Sequence, residues 1–402
     1  MVANACYQVV LLEPAHKVEP GGGRSSTLRA TLERHMEVLG LNPRLALRVL
    51  DETNFHRDRD PFLPLVAVYF GGPQQDPEAT AILERLRGEG RFVLPVVPTL
   101  VRYGEQVPPV LKPINGEELR EGDPTLEHVA ARVLEELRLM RARRLVFISY
   151  KRDESRGVAF QLYQALDARS FEVFLDTHSI KRGEEFQPML WDRMGDADLL
   201  ILLDTPHAFT STWVEQEVAR AHNLGLGVFQ LIWPAPHQRT LGTELCEPVL
   251  LDARDFEGAS ADADATLQEG KVEEVVALAE AIRARSVASR RTRVVTEFCK
   301  QMESHGLQVV VQSTGHLEVL HPSRGATHIF PVVGHPDALL FQEIADDCAK
   351  AGSPPPRGCL VYDPLGIWPR KAMHLRWLNN FLPAESLAVT EVLQWLHTQR
   401  TP

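Results

Sequence analysis

The chain reads as an α/β protein of three modules, and three observations point to that class. Short apolar runs rich in valine, isoleucine and leucine recur along it, each followed by an amphipathic stretch of helical length. That alternation implies parallel sheets covered by helices on both faces. The length, 402 residues, exceeds one ordinary domain, so two or three are expected. The composition, 44% hydrophobic and 24% charged, leaves room for sizeable cores.

The first α/β run opens with a strand over residues 7–13, a continuous apolar run with β-branched members. A glycine-rich turn at 20–26 precedes a helix over 27–39. Glycine between strand and helix could cradle a phosphate on backbone N–H groups. This turn has neither G-x-G-x-x-G nor a Lys-Ser/Thr ending, so it is read as a flexible loop. Strands are expected at 45–50, 63–70 and 91–98, with helices at 79–87 and 125–140.

The second run starts with a buried strand at 144–150 that opens onto Lys151, Arg152, Asp153 and Glu154. A helix at 157–168 and a strand at 171–176 follow. Next come a polar, basic loop at 177–183 and a helix at 186–194 that ends at Gly195. The apolar strand at 198–204 is central, and a further helix then ends at Gly225. The strand at 228–233 is the last clear one. Residues 234–268 read as irregular, and a long helix from about 268 to 286 completes the module.

Within this run the segment 211–218 concentrates the chemistry. Thr212 and Glu215 have the capping-box form, a hydroxyl residue followed three later by glutamate. That assigns Glu215 to backbone N–H groups and leaves Glu217 beside Trp213, since residues at i and i+4 share a helix face. A carboxylate against an aromatic wall, just after a strand, is a candidate reactive group.

The third module begins near residue 290. Helices are expected at 294–305, 336–349, 368–380 and 385–397, with strands at 308–312, 317–320, 327–333 and 359–362. The segment 351–358 is a proline- and glycine-rich loop. His316, His321, His328 and His335 stand at spacings of 5, 7 and 7. Those spacings do not share one helix face and no cysteine stands at ligand spacing, so no metal site is expected. Arg370, Lys371 and Arg376 lie along the helix beside Trp368 and Trp377. Aromatics among basics can bind nucleic acid, but the pattern is read as amphipathic packing with a basic outer face.

Charge and cysteines bound the partners. A formal net charge of -11 argues against a broad surface for nucleic acid or anionic membrane. The five cysteines are scattered and form no C-x-x-C pair, so neither a disulfide framework nor a zinc knuckle is suggested. No apolar run approaches the ~20 residues that a membrane helix needs. A reduced, cytoplasmic compartment is expected, with no membrane and no direct nucleic-acid contact.

Five elements in order resemble the Toll/interleukin-1 receptor (TIR) domain family. Phe147-Ile-Ser-Tyr150 with Lys151, Arg152 and Asp153 resembles that family's first strand and the loop after it. Residues 173–176 resemble its second strand, and the loop 177–185 with Gly183 its variable BB loop. Residues 197–203 resemble the central strand of its flavodoxin-like sheet. Trp213-Val-Glu-Gln-Glu217 is similar to the Trp-x-x-x-Glu of the bacterial branch that cleaves NAD⁺. Val214 departs from the cysteine of many plant members. The likeness covers about a third of the chain. Residues 92–97, a loop ending at Asn115 and a helix from Thr125 resemble the last third of the same fold more weakly, without Trp-x-x-x-Glu.

The resemblance implies a catalytic role for Glu217, with Trp213 as a pocket wall and Phe186 beside the nicotinamide. NAD⁺ is then substrate, and no cofactor is expected. As nicotinamide leaves, positive charge develops on the ribose, which a fixed carboxylate stabilises as in glycosidases. Tyr150 could stack on a ring, and Lys151 or Arg152 could pair with pyrophosphate, at the carboxyl end of the first strand where open parallel sheets bind ligands. Asp176 would anchor the BB loop by accepting backbone hydrogen bonds. The domains implied are 1–141, a degenerate TIR-like module, 142–289, the NAD⁺-cleaving TIR domain, and 290–402, a smaller α/β or α+β module. The family further implies an antiphage immune effector that works by self-association, its flanking domains meeting a sensor or partner protein. A non-catalytic TIR scaffold is the alternative.

Overall fold

Apolar strands that alternate with helices cannot leave either face of their sheet in water, and this chain buries them in two parallel sheets. The computed structural model describes residues 7–13, 23–39, 41–61, 63–73, 76–120, 122–137, 139–175, 186–208, 212–235, 237, 239, 243, 245–312, 316–321, 325–351 and 357–399. The glycine-rich turn at 20–22, Asp176 with the loop 177–185, Ser211 and the segment 352–356 lie outside the described residues. Contacts divide the chain into two units, Met1–Ala142 with Glu273–Ala284, and Arg143–Val272 with Arg285–Pro402.

The first unit contains β1 (Tyr7–Leu12), α1 (Arg24–Val38), α2 (Pro43–Ala46), β2 (Leu47–Leu50) and α3 (Phe55–Asp58). It continues with β3 (Leu65–Phe70), α4 (Pro77–Gly88), β4 (Phe92–Val97), α5 (Tyr103–Gln106), β5 (Glu117–Glu118) and α6 (Glu127–Glu136). Every residue of β1 and β3 is buried, as their unbroken apolar sequences require of inner strands. The sheet runs β2-β1-β3-β4-β5, parallel throughout. Helix α1 begins three residues before the expected start. The Glu13 carboxylate accepts hydrogen bonds from the Arg24 and Ser25 N–H groups at 3.1 and 2.9 Å, so an acidic group just past the end of β1 satisfies donors of the first turn.

The second unit begins with β6 (Leu145–Ser149), α7 (Arg152–Asp167), β7 (Glu172–Leu175), α8 (Phe186–Asp196) and β8 (Leu199–Asp204). Then come α9 (Thr212–Leu224), β9 (Gly227–Ile232), β10 (Glu247–Leu250), and a small antiparallel ribbon of β11 (Phe256–Glu257) and β12 (Thr266–Leu267). Its parallel sheet runs β10-β9-β8-β6-β7. Numbered from the first strand of each unit, both sheets have the doubly wound order 2-1-3-4-5. Residues 247–250 were expected to be irregular and instead form the fifth strand. This is an edge strand, mostly exposed and containing Pro248, so it lacks the apolar run that marks a buried strand.

Helix α10 (Glu269–Ser304) is continuous where two helices were expected. No glycine or proline interrupts it after Gly270, so nothing in the backbone chemistry stops it. Its middle belongs to the first unit. There Arg283 is fully buried and donates to Glu135 at 2.9 Å and to the Arg141 carbonyl at 2.6 Å.

The remainder of the second unit contains β13 (Gln308–Val311), β14 (Leu317–His321), β15 (Gly325–Val332), α11 (Ala338–Ala351) and β16 (Arg357–Tyr362). It closes with α12 (Pro369–Leu378), β17 (Glu385–Ala388) and α13 (Val392–Gln399). The sheet is mixed, in the order β13-β14-β15-β16-β17, antiparallel up to β15 and parallel beyond it. Residues 385–388, expected as helix, are its last strand; their short Glu-Ser-Leu-Ala run carries no period that separates strand from helix. The rings of His316, just before β14, and His328, on β15, lie 4.5 Å apart.

This sheet is fastened to the end of α8. Asp196 accepts hydrogen bonds from the His335 N–H at 2.8 Å and from Arg143 Nη1 at 2.5 Å. Arg290 Nη1 donates to the Ala197 carbonyl at 2.7 Å, and Arg293 pairs with Asp363 at 2.6 Å. Gly195 and Gly366 meet backbone to backbone: a Cβ on Gly195 would stand 2.5 Å from the Gly366 carbonyl oxygen. Gly366 also has φ +87°, a conformation that costs an L-residue about 1–2 kcal/mol. Gly366→Ala is therefore expected to lower the melting temperature by several degrees in a thermal unfolding scan, whereas Gly270→Ala, with open space around it, leaves it unchanged or higher.

Candidate functional site

Strand β6 is an apolar run, Leu-Val-Phe-Ile, that ends in one hydroxyl, Ser149, buried like the rest. Side chains alternate across a strand, so Ser149 faces the same side of the sheet as Phe147. That side carries the core of Phe147, Leu200, Leu202, Val218 and Ala221, to which α9 contributes its apolar stripe. Val218, Ala221 and Leu224 press α9 onto the sheet, and Glu217 is drawn in with them.

Glu217 is 1% exposed. Ser149 Oγ donates to Glu217 Oε2 at 2.6 Å across 68 residues of sequence. A carboxylate taken from water loses hydration that only hydrogen bonds return, so this bond both stabilises the group and orients it. Ser149 was not singled out from the sequence. Its signal was there: one polar residue at the carboxyl end of a wholly apolar strand.

A second buried carboxylate stands on the same face. Asp204 ends β8, two residues beyond Leu202, and accepts from Gln230 Nε2 at 2.6 Å, with His237 Nε2 at 3.0 Å. Gln230 in turn accepts from Arg239 Nε at 3.0 Å. This chain ties the connection after β9 to the carboxyl end of the sheet, where doubly wound folds bind ligands.

The predicted residues of the first βα turn are differently placed. Tyr150 is buried, so it can serve as a wall but does not present an open ring. Lys151 Nζ lies 3.3 Å from Glu154 Oε1 and donates to the His207 carbonyl at 3.4 Å. Arg152, the first residue of α7, is exposed. Trp213 and Phe186 lie in α9 and α8; their side chains, and those of Thr212 and Glu215 in the expected capping box, are outside the described set, as is Asp176 altogether. The backbone of α9 does put positions 213 and 217 on one helix face.

Glu154 organises the turn that leads from β8 toward α9. Its carboxylate accepts from the His207 N–H at 3.1 Å and lies 2.7 Å from the His207 ring nitrogen. Burial raises its pKa, but hydrogen bonds from Thr205 first, then from His207 and Lys151, outweigh burial and hold it at about 2. Among the described residues no group of three or more His, Cys, Asp or Glu side chains could hold a metal ion, and no helix is long and apolar enough to cross a membrane.

Comparison with known proteins bears on this region. The profile of one protein family, the TIR domain, matches residues 146–266, the span that contains Ser149, Glu154, Asp204 and Glu217. No curated protein matches the chain significantly. Among solved structures, the C-terminal domain of glucosamine-fructose-6-phosphate aminotransferase from Francisella tularensis aligns at 10% identity, over 70% of this chain and 83% of that one, with a TM-score of 0.20. Protein VC1899 from Vibrio cholerae aligns at 11% identity, over 98% of this chain and 97% of that one, with a TM-score of 0.18. Likenesses this low carry no weight for fold or function.

The depressed Glu154 pKa makes a testable statement about acid stability. An ordinary glutamate titrates at 4.5 and this one at about 2, so its contribution is whole above pH 4.5 and is lost as pH falls through 2. Glu154→Gln is expected to lower the melting temperature at neutral pH, and the gap between variant and wild type to close on acidification over that window, as followed by circular dichroism.

Proposed function

We propose that this chain, whose residues 146–266 are a TIR domain, is an NAD⁺ glycohydrolase with Glu217 as its catalytic carboxylate. The observation that carries the reading is the Glu217 carboxylate, buried at the carboxyl end of a parallel sheet and oriented by Ser149 Oγ at 2.6 Å. NAD⁺ cleavage asks little of a protein beyond such a group. The bond between ribose C1′ and the nicotinamide nitrogen breaks, and its electron pair neutralises the pyridinium as nicotinamide leaves. Positive charge grows on the ribose, and a pre-oriented carboxylate stabilises it more than it stabilises bound substrate. Water then adds at C1′ and releases a proton, giving ADP-ribose; attack by an adenine nitrogen instead gives a cyclic ADP-ribose.

Trp213 is assigned to the pocket wall and Phe186 to the nicotinamide side, with Asp176 anchoring the loop before α8. Tyr150 contributes bulk from beneath. Of the two cations, Arg152 is the better candidate for the pyrophosphate, because Lys151 is already engaged by Glu154. The chain is read as a cytoplasmic immune effector against phage, activated by self-association of the TIR domain. Residues 1–141 and 290–402 flank residues 142–289 and would receive the trigger or a partner protein.

The burial of Glu217 also suits a purely structural carboxylate in a TIR scaffold, and one experiment separates the two. Purified full-length protein, concentrated to favour self-association, is incubated with NAD⁺, and nicotinamide is followed by chromatography. Glu217→Gln, nearly isosteric, is expected to lower release by about a hundredfold or more. Ser149→Ala, which keeps the carboxylate but frees its orientation, is expected to lower it by about tenfold. Equal release by wild type and Glu217→Gln would overturn the assignment of Glu217 as the catalytic carboxylate.

A further inference from the structure

Helix α12 is apolar on two sides, which one core cannot explain. Leu375 and Leu378 enter the core formed with Phe341, Ile344 and Tyr362. On the other side Met373 is 66% exposed and Trp377 54%, and Phe381, in the turn after the helix, is 67% exposed. The sequence pattern suggested that Trp368 and Trp377 would pack under a basic outer face; instead both are exposed together with the cations.

The exposed rings form a row. The His374 and Trp377 planes are inclined by only 18° with centroids 5.8 Å apart, and Phe381 follows Trp377 at 4.8 Å. Positions 374 and 377 are three apart on one face of α12, and Phe381, in the turn after the helix, continues the row through its ring contact with Trp377. Cations border the row: Arg370, whose guanidinium lies over the Trp368 ring at 5.4 Å, the half-buried Lys371, and the exposed Arg376. From Pro364 to Ala384 there is no aspartate or glutamate, although the chain as a whole carries a net charge of -11. Along this stretch of sequence cations and rings occur without acidic residues.

An exposed apolar patch of this kind marks a binding surface, and its chemistry selects the occupant. An apolar protein partner would use the rings but leave three cations against it without counter-charge. Duplex nucleic acid would use the cations but hides its base faces in the stack. A single strand uses both: bases stack on ring faces and phosphates pair with the flanking cations. We propose that the row of His374 and Trp377 on α12 and Phe381 in the turn after it, bordered by Arg370, Lys371 and Arg376, binds single-stranded nucleic acid. Stacking and charge do not read the sugar, so DNA and RNA strands are bound alike.

The test uses the full chain and fluorescence anisotropy with labelled oligothymidylate and oligouridylate of about 12 nucleotides, a length within known single-strand site sizes. Both strands are expected to bind, more weakly as salt rises, and a duplex of the same length to bind less well. Trp377→Ala is expected to weaken binding about tenfold, and Lys371→Glu with Arg376→Glu to weaken it further and flatten the salt dependence. All three side chains lie at least partly in solvent, so thermal scans should show the variants folded; Phe381→Ala replaces Trp377→Ala if that one is not. No binding at low salt, affinity unchanged in the variants, or tighter binding of duplex would overturn the proposal. So would sedimentation showing that Trp377→Ala dissolves a dimer while oligonucleotide affinity is kept, since the patch would then be the interface between two copies.

Discussion

A carboxylate withdrawn from water must find hydrogen-bond donors, and the Ser149–Glu217 bond meets that demand at the centre of the candidate site. Its two partners are 68 residues apart, so the bond exists only when three things hold at once. β6 must lie beside β8 in the register that pairs Ser149 with Leu202. Helix α9 must lie flat on that face, held by Val218, Ala221 and Leu224. The turn after β8 must deliver the chain to Thr212, and Glu154 holds that turn through His207. Loss of any one would take the Ser149 donor away from this buried carboxylate.

The same demand is met repeatedly at the carboxyl ends of the strands. Asp204 is satisfied by Gln230 and His237, and Glu154 by the turn that it caps. These groups all sit where parallel strands end and loops begin, the place at which backbone and side-chain donors converge. Elsewhere the polar ties serve packing. Asp196 gathers the His335 N–H and Arg143 at the end of α8, which fastens the mixed sheet to the parallel one within the second unit.

The α12 face follows the opposite rule. There apolar rings remain in water although the core beneath them is complete, and cations accumulate although the chain is acidic. Packing explains Leu375 and Leu378; it does not explain Trp377 or Phe381. The sequence pattern, basics interleaved with aromatics at helical spacing, was the same for the packed and the exposed reading, because periodicity gives the faces of a helix but not which of them the core takes.

Much of the architecture was legible in the residues. The buried strands β1, β3, β6 and β8 were found because parallel strands covered on both faces are unbroken apolar runs, and the end of α9 because Gly225 takes φ +70°. β10 and β17 were missed because an edge strand with Pro248 and a short Glu-Ser-Leu-Ala strand carry no such run. The join of two expected helices into α10 was missed because a mixed run of apolar and charged residues looks like a linker when its partners are unknown. Arg283 then proves to be fully buried against Glu135. At the site, the chain's own order already singled out Glu217 and put it on one helix face with Trp213, since that needs only the helical period. What the tertiary structure alone decided is that Glu217 is buried, that Ser149 is its donor, and that Lys151 is held by Glu154. Each is a contact between residues that the sequence separates, and local period and propensity say nothing about which distant side chains a fold brings together.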